Sequence, residues 1–461
     1  MSKAERTTQQ APLSFAQQRL WFLQQFHGGG TYNNILLLRA APGLNQRTII
    51  SAITRLIERH EMLRTIFWLA DTGPVQGVLP SSRPPSIRTV RVTEESCGDD
   101  EQLRRIAVAC ARPEFLLDSE PGVRVTLVES PAGEPEAIIL VLHHIIWDAE
   151  SKSIAIRELN SLMRGSSAPE TAMPESSYLQ FARKQREDYS SGKLAESLSY
   201  WANQLAGVAG RRRANGDDPD GDTDRDTGAQ DFTGHSIPVR IDAQATSRVQ
   251  RFAYAERSTL FMVLAMAWIV LLHAMEGGTD IVTGIDISDR DDPPTYDTVG
   301  LFVNQLALRV DLSGDPTLAG LSRLVRQACM AAYEHKNAPF DLVVSALRAE
   351  RSAVRDPVFQ TKIYYVEDSA APRESGVLTE VEAEPPVARH ELSLGLTHRA
   401  DGISGYLNYR HNAYRPGYCH AAAQAYADIV TAIGTRPDLT LSEVVARAGQ
   451  ALQPAGNQER D

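Results

Sequence analysis

Two adjacent histidines and a nearby aspartate are the residues of this 461-residue chain best suited to do chemistry. They lie in the stretch HHIIWDAES, in which His143 and His144 come first and Asp148 follows. A histidine titrates near neutral pH, so it can take a proton from an attacking amine or alcohol, or hold that group by a hydrogen bond. The alternative is a core histidine whose hydrogen bonds are satisfied. A zinc site is not favoured, because spaced third and fourth ligands are lacking.

The elements around these residues follow from the pattern of apolar side chains. Residues 137–142 are apolar and rich in branched side chains, which predicts a buried strand. Residues 151–163 carry apolar side chains at helical spacing, and Asp148 precedes them, where a carboxylate can cap free backbone N–H groups. Since neighbouring residues on a strand point to opposite faces, we expect one histidine to line a cavity and the other to be structural.

Seven short motifs along the chain resemble, in the same order, those of the condensation-domain superfamily of nonribosomal peptide synthetases. They are LSFAQQRLWFL, RHEMLRTIF, HHIIWDA, YLQFA, VGLFVNQLALR, HKNAPFD and RDPVFQ. The third corresponds to the family pattern H-H-x-x-x-D-G. The resemblance extends from about Leu13 to about Tyr414.

The resemblance implies an α/β fold: a pseudo-dimer of two chloramphenicol-acetyltransferase-like α/β sandwich domains with a tunnel between them. The length of the chain by itself also predicts two domains. We expect them at residues 13–168 and 175–450, with disordered termini at 1–12 and 451–461. The segment 207–231 is dense in Gly and Asp with almost nothing apolar, so it is expected to be a disordered loop.

The resemblance also implies roles for individual residues. His144 would be catalytic, and His143, Asp148 and Arg290 would support the site, with Asp148 and Arg290 forming an ion pair. The residues expected to line the substrate tunnel are Trp147, Ala149, Gly300 and Asn304. Ala149 departs from the family pattern, which has glycine there, and its methyl group would narrow the approach of a thioester or its pantetheine arm.

The function implied is that of a free-standing condensation enzyme in natural-product biosynthesis. It would join an acyl or aminoacyl thioester, held on the phosphopantetheine of a partner carrier protein, to a small-molecule amine or alcohol, with a second carrier as a further option for the acceptor. No cofactor or metal of its own is implied. Two alternatives stay open: an acyl-CoA-dependent O- or N-acyltransferase, and a non-catalytic condensation-like recruitment module.

Composition limits the other partners. The net charge of −11 and the absence of a basic stripe argue against nucleic acid. An acidic carrier would need a local basic patch, for which Arg183, Lys184 and Arg186 or residues 211–213 are candidates. The four cysteines have no metal or disulfide spacing, no signal peptide is recognised, and the apolar run 260–272 is too short to span a bilayer. These features predict a cytoplasmic protein without a membrane partner.

Overall fold

Strands and helices are interspersed along the chain in the computed structural model, which describes residues 3, 6–81, 86–165, 177–208, 231–347, 358–367 and 376–452. The strands are β1 (Gln9–Pro12), β2 (Asn33–Ala40), β3 (Thr65–Ala70), β4 (Gly73–Val78), β5 (Ile87–Arg91), β6 (Val123–Glu129), β7 (Pro135–His143), β8 (Gly234–Asp242), β9 (Asp280–Ser288), β10 (Val303–Asp311), β11 (Thr361–Glu367), β12 (Leu378–Val381), β13 (Leu392–Arg399) and β14 (Gly402–Arg410). The helices are α1 (Phe15–His27), α2 (Gln46–Arg59), α3 (Asp100–Ala111), α4 (Ala149–Met163), α5 (Tyr178–Ser190), α6 (Ala195–Gln204), α7 (Ala243–Ala255), α8 (Leu260–Glu276), α9 (Leu318–Glu334), α10 (Phe340–Ala346), α11 (Pro416–Thr435) and α12 (Leu441–Leu452).

The described residues divide into two compact units. Unit 1 comprises those within 1–195, 288–304 and 371–385, and unit 2 comprises the others. Each unit has its own apolar core and its own mixed β-sheet with helices packed on it.

Unit 1 contains two sheets. The larger has the strand order β12-β2-β7-β6-β5, in which β5 and β6 are parallel and the other pairs are antiparallel. The smaller has the order β1-β4-β3 and is antiparallel. Strand β7 is buried along almost its whole length, which explains why its sequence is a continuous apolar run instead of an alternating one.

Unit 2 is built on a six-stranded sheet with the order β10-β9-β11-β13-β14-β8. Strand β11 is parallel to both β9 and β13, whereas β13-β14 and β14-β8 are antiparallel. Helix α8 is apolar on all sides and twelve of its residues are buried, so it is the central helix of this core.

The structure corrects the predicted domain boundaries. Two segments from the second half of the chain belong to unit 1, namely residues 288–304 and 371–385, although 13–168 and 175–450 were expected to separate cleanly. Each segment is held in unit 1 by a specific contact. In residues 371–385, β12 pairs with the edge of β2, and in residues 288–304, Arg290 neutralises the buried Asp148. The junction expected between these two ranges, residues 169–174, lies outside the described residues.

The expected disordered segments have mixed outcomes. Residues 9–12, predicted to be disordered, form β1, because their backbone pairs with the edge of β4 and Ala11 is buried. At the other end, helix α12 continues to Leu452, and the rest of the expected tail lies outside the described residues. The Gly- and Asp-rich loop also lies outside them, apart from residues 207, 208 and 231.

Within the described residues no single helix is long and apolar enough to cross a membrane. Helices α7 and α8 reach the required length and hydropathy only as a pair, and that pair is bent by 104°.

Gly284 in β9 gives a test of the packing in unit 2. A Cβ atom there would lie 2.3 Å from Cε2 of Phe359, a buried ring. We therefore predict that Gly284→Ala lowers the free energy of unfolding by about 1–3 kcal/mol, the usual cost of overpacking a core. Urea denaturation measures this cost. The control is Gly278→Ala, where a Cβ meets nothing within 4 Å, and equal stability of the two variants would contradict the packing described here.

Candidate active site

The stretch HHIIWDAES forms a strand, a tight turn and a helix, as expected from the sequence. Strand β7 ends at His143, residues 144–146 form a short 3-10 turn, and α4 begins at Ala149. Asp148 caps α4, since its side chain accepts a hydrogen bond from the backbone N–H of Ser151. The turn therefore brings both histidines and the aspartate to the same end of β7.

His143 is fully buried. The backbone N–H of Ile145 donates to its Nδ1 at 3.2 Å, and its Nε2 lies 3.2 Å from Oε1 of Gln24. Its ring also contacts Phe115 edge to face, at 6.1 Å between ring centroids. These contacts are those of a packed histidine that holds the turn together.

His144 is partly exposed, unlike its neighbour. Its Nδ1 lies 2.8 Å from the carbonyl oxygen of Trp147. Because a carbonyl only accepts, Nδ1 must carry the proton, and the lone pair of the neutral ring is then on Nε2. The backbone of His144 is held as well, since its N–H donates to Tyr32 O at 2.8 Å. In this tautomer Nε2 is the ring atom that could accept a proton.

Asp148 and Arg290 form a buried ion pair, as expected from the sequence. Nη2 of Arg290 lies 2.9 Å and 3.0 Å from the two carboxylate oxygens, and both side chains are almost completely buried. Nη1 of Arg290 donates to the carbonyls of Thr295 and Thr298, at 2.6 Å each, and its guanidinium lies over the ring of Phe302. Both ions are thus paired and hydrogen-bonded, which is the condition for burying them.

Ser151 also belongs to this hydrogen-bond network, although the sequence did not predict it. Its hydroxyl lies 2.6 Å from Oδ1 of Asp148, and Gly300 N donates to it at 3.0 Å. The second carboxylate oxygen of Asp148 accepts from Phe302 N at 3.0 Å. The only signal in the sequence is the position of Ser151 three residues after a helix cap, which points to capping but not to a contact across 149 residues.

Tyr178 links three of the sequence motifs in unit 1. Its hydroxyl donates to Leu301 O at 2.8 Å and lies 2.9 Å from Oγ of Ser14. Burial raises the pKa of Tyr178 well above its ordinary value, and the nearby charge of Asp148 raises it further. The phenol is therefore a neutral structural hydrogen-bonding group.

Helix α1 contacts this turn, and the end of α2 contacts α4. Nε2 of Gln17 donates to Ile145 O at 3.3 Å. Glu158 of α4 accepts from His60 at 2.9 Å and pairs with Arg59 at 3.2 Å. Burial alone would raise the pKa of Glu158, but the hydrogen bond and charge of His60 and the charge of Arg59 lower it below its ordinary value. The arginines of the second motif thus have internal roles, as Arg64 donates to backbone carbonyls.

The four residues expected to line a tunnel have different environments. Gly300 is buried and a Cβ atom there would lie 2.3 Å from Tyr178, so close packing explains this glycine. Trp147 is buried in the core of unit 1, and Asn304 is a buried polar residue of β10. Ala149 is exposed and begins α4 without a positive φ, so alanine fits this backbone without strain. A tunnel-lining role stays a prediction for all four.

In the candidate basic patch on α5, two of the three basic side chains make hydrogen bonds within unit 1. Arg183 donates to Gln10 O, and Arg186 donates to Leu13 O while its guanidinium lies over the ring of Phe15. Residues 211–213 lie outside the described part of the chain. Within the described part, no group of three or more His, Cys, Asp or Glu side chains is placed to hold a metal ion.

Comparisons with known proteins agree with this geometry. The family model described as "Condensation domain" matches residues 7–450. A probable non-canonical nonribosomal peptide synthetase, CymA of Salinispora arenicola, is 32% identical over 438 residues, which are 92% of this chain and 6% of CymA. The chain spans less than a fifth of the length of the curated relatives that it matches first.

Two solved structures have the same fold. One is in the complex of the X-domain and OxyB from teicoplanin biosynthesis, with a TM-score of 0.78, 22% identity and coverage of 95% of this chain and 96% of that one. The other is the SgcC5 protein from Streptomyces globisporus, in complex with a naphthyl ethanediol and sucrose, with a TM-score of 0.74, 23% identity and coverage of 93% and 100%.

The buried ion pair gives a direct test of this site. Asp148→Asn leaves the Arg290 charge buried without its partner, so we predict a loss of about 3–5 kcal/mol in the free energy of unfolding, measured by urea denaturation. A matched control joins the same two segments: Arg157 on α4 pairs with Asp297 at 2.5 Å, and both are mostly exposed. Asp297→Asn should cost no more than about 1 kcal/mol. Equal costs for the two substitutions would contradict the burial of the first pair.

Proposed function

The chain belongs to the condensation-domain family, and on that premise we propose that it joins an acyl or aminoacyl thioester to an amine or an alcohol. The donor would arrive on the phosphopantetheine of a carrier protein, and the product would be an amide or an ester. The chain itself would contribute a positioned base and no bound cofactor.

The geometry of His144 carries this proposal. Its Nδ1 is occupied by the Trp147 carbonyl at 2.8 Å, so Nε2 has the lone pair, and the ring is partly exposed. His143 is unsuited to the same role, because it is fully buried and both of its ring nitrogens contact protein groups. We therefore assign the catalytic role to His144, with His143, Asp148 and Arg290 as its support.

The proposed step is a direct transfer. The acceptor nitrogen or oxygen attacks the thioester carbonyl carbon while Nε2 of His144 takes the proton that the acceptor loses. The new C–N or C–O bond forms, the C–S bond breaks, and the pantetheine thiolate leaves and recovers a proton. An acyl-enzyme is not part of this sequence: the nearest serine to the histidines along the chain, Ser151, is fully buried and bonded to Asp148.

For the acceptor we propose a chemical class, an amine or an alcohol, and not a particular compound. An alcohol is included beside an amine, in line with the diol in the SgcC5 structure.

A recruitment module without catalysis is the second candidate, because the X-domain neighbour was solved in complex with OxyB and because Ala149 replaces the usual glycine. Free-standing existence and a cytoplasmic location stay predictions.

His144→Ala should lower turnover by about 10²–10⁴, the usual contribution of a positioned acid or base, and leave the fold intact. The measurement is mass spectrometry of product formed from carrier thioesters and an acceptor pool. His273→Ala is the matched control, since Nδ1 of His273 also pairs with a backbone carbonyl, that of Gly278 at 2.8 Å, but in unit 2. An undiminished rate for His144→Ala would refute the assignment.

A second prediction separates the donor classes. The same acyl group is offered on its carrier, on CoA and on a short pantetheine mimic, and the carrier thioester should react fastest. Intact-protein mass spectrometry should find no acylated enzyme, because the transfer is direct. Equal rates with CoA would favour an acyl-CoA-dependent transferase, a stable acyl-enzyme would contradict direct transfer, and carrier binding without product would favour the recruitment module.

A further inference from the structure

Gln24 lies deep in unit 1, on the last turns of α1 and far along the chain from the catalytic motif. Its side chain is 2% exposed, which is unusual for a glutamine and requires that its amide be hydrogen-bonded. Its Oε1 faces Nε2 of His143 at 3.2 Å, and its Nε2 faces Oε1 of Glu114 at 2.9 Å. The amide therefore bridges an anion and the structural histidine.

The orientation of this amide follows from its partners. The carboxylate of Glu114 accepts hydrogen bonds only, and so does the carbonyl of Gly29, which lies 3.4 Å from the same nitrogen. The NH₂ group must therefore face Glu114, which leaves the amide oxygen toward His143. An amide oxygen accepts only, so Nε2 of His143 must carry a proton.

That proton determines the state of the other ring nitrogen. The backbone N–H of Ile145 points at Nδ1 of His143 from 3.2 Å, and two donors cannot face each other across a buried contact. Nδ1 therefore has the lone pair, and the ring is neutral with its proton on Nε2. The chain of contacts runs from Glu114 through Gln24 and His143 to the turn that carries His144.

We propose that Gln24 is a positioning residue for the condensation step: its amide, together with the N–H of Ile145, selects the tautomer of His143 and thereby helps to fix the turn that presents His144. The inference rests on the function proposed above. The opposite tautomer would place two N–H groups against each other, and the turn at Ile145 would have to move. His144 begins the same turn, and its Nδ1 is bonded to the carbonyl of Trp147 at the end of that turn. The position of its Nε2 therefore depends on Gln24.

The first experiment uses the unmodified protein. Long-range ¹H–¹⁵N spectra of histidine-labelled protein, assigned by substitution of individual histidines, should find His143 neutral with its proton on Nε2 at neutral pH. A proton on Nδ1, or a doubly protonated ring, overturns the inference. This measurement does not need turnover, so it separates failure of the Gln24 inference from failure of the proposed reaction.

The second experiment compares two adjacent glutamines of α1. Gln24→Met keeps the volume but removes the amide, and it should lower kcat by about 10- to 100-fold with KM changed less than about twofold, while the His143 signals lose their single tautomer. Gln25→Met is the control, because Gln25 is exposed, and it should leave kcat, KM and the spectrum unchanged. An unaltered kcat, or an effect confined to KM, in a folded Gln24→Met overturns the inference.

Discussion

The buried ion pair of Asp148 and Arg290 is the constraint on which the rest of unit 1 depends. Removing a carboxylate and a guanidinium from water costs several kcal/mol for each ion, and this cost is offset only when both are paired and hydrogen-bonded. The carboxylate meets this condition through Arg290, Ser151 and the backbone of Phe302. Since Arg290 and Phe302 follow in the second half of the chain, the segment 288–304 must fold with the first half.

This pair also explains why the two histidines can have different roles. Asp148 fixes the start of α4, and β7 fixes the other end of the motif, so the turn between them has little freedom. Within that turn His143 is directed into the core and His144 remains partly exposed. The division follows from the end of β7 at His143, because His144 already belongs to the 3-10 turn and is no longer held in the buried strand, and the hydrogen bonds of each ring then set its tautomer.

Much of the motif was predictable from its sequence, because its determinants are local. The apolar run before His143, the helical spacing after Asp148 and the capping carboxylate each depend on neighbours a few residues away. The contacts of Ser151, Gln24 and β12 were not predictable in this way, since their partners lie far along the chain. The strand at Gln9–Pro12 was missed for a related reason: three of its four residues are exposed, and it is held by backbone pairing with β4.

The central claim is that Nε2 of His144 receives the acceptor's proton. The most direct measurement is a crystal structure with a non-hydrolysable thioether analogue of the donor and the acceptor bound together, using the substrates that the mass-spectrometric assay identifies. The acceptor nitrogen or oxygen should lie within about 2.6–3.2 Å of Nε2, with Nδ1 still bonded to the Trp147 carbonyl. An acceptor bound away from His144, or in contact with another base, would contradict the claim.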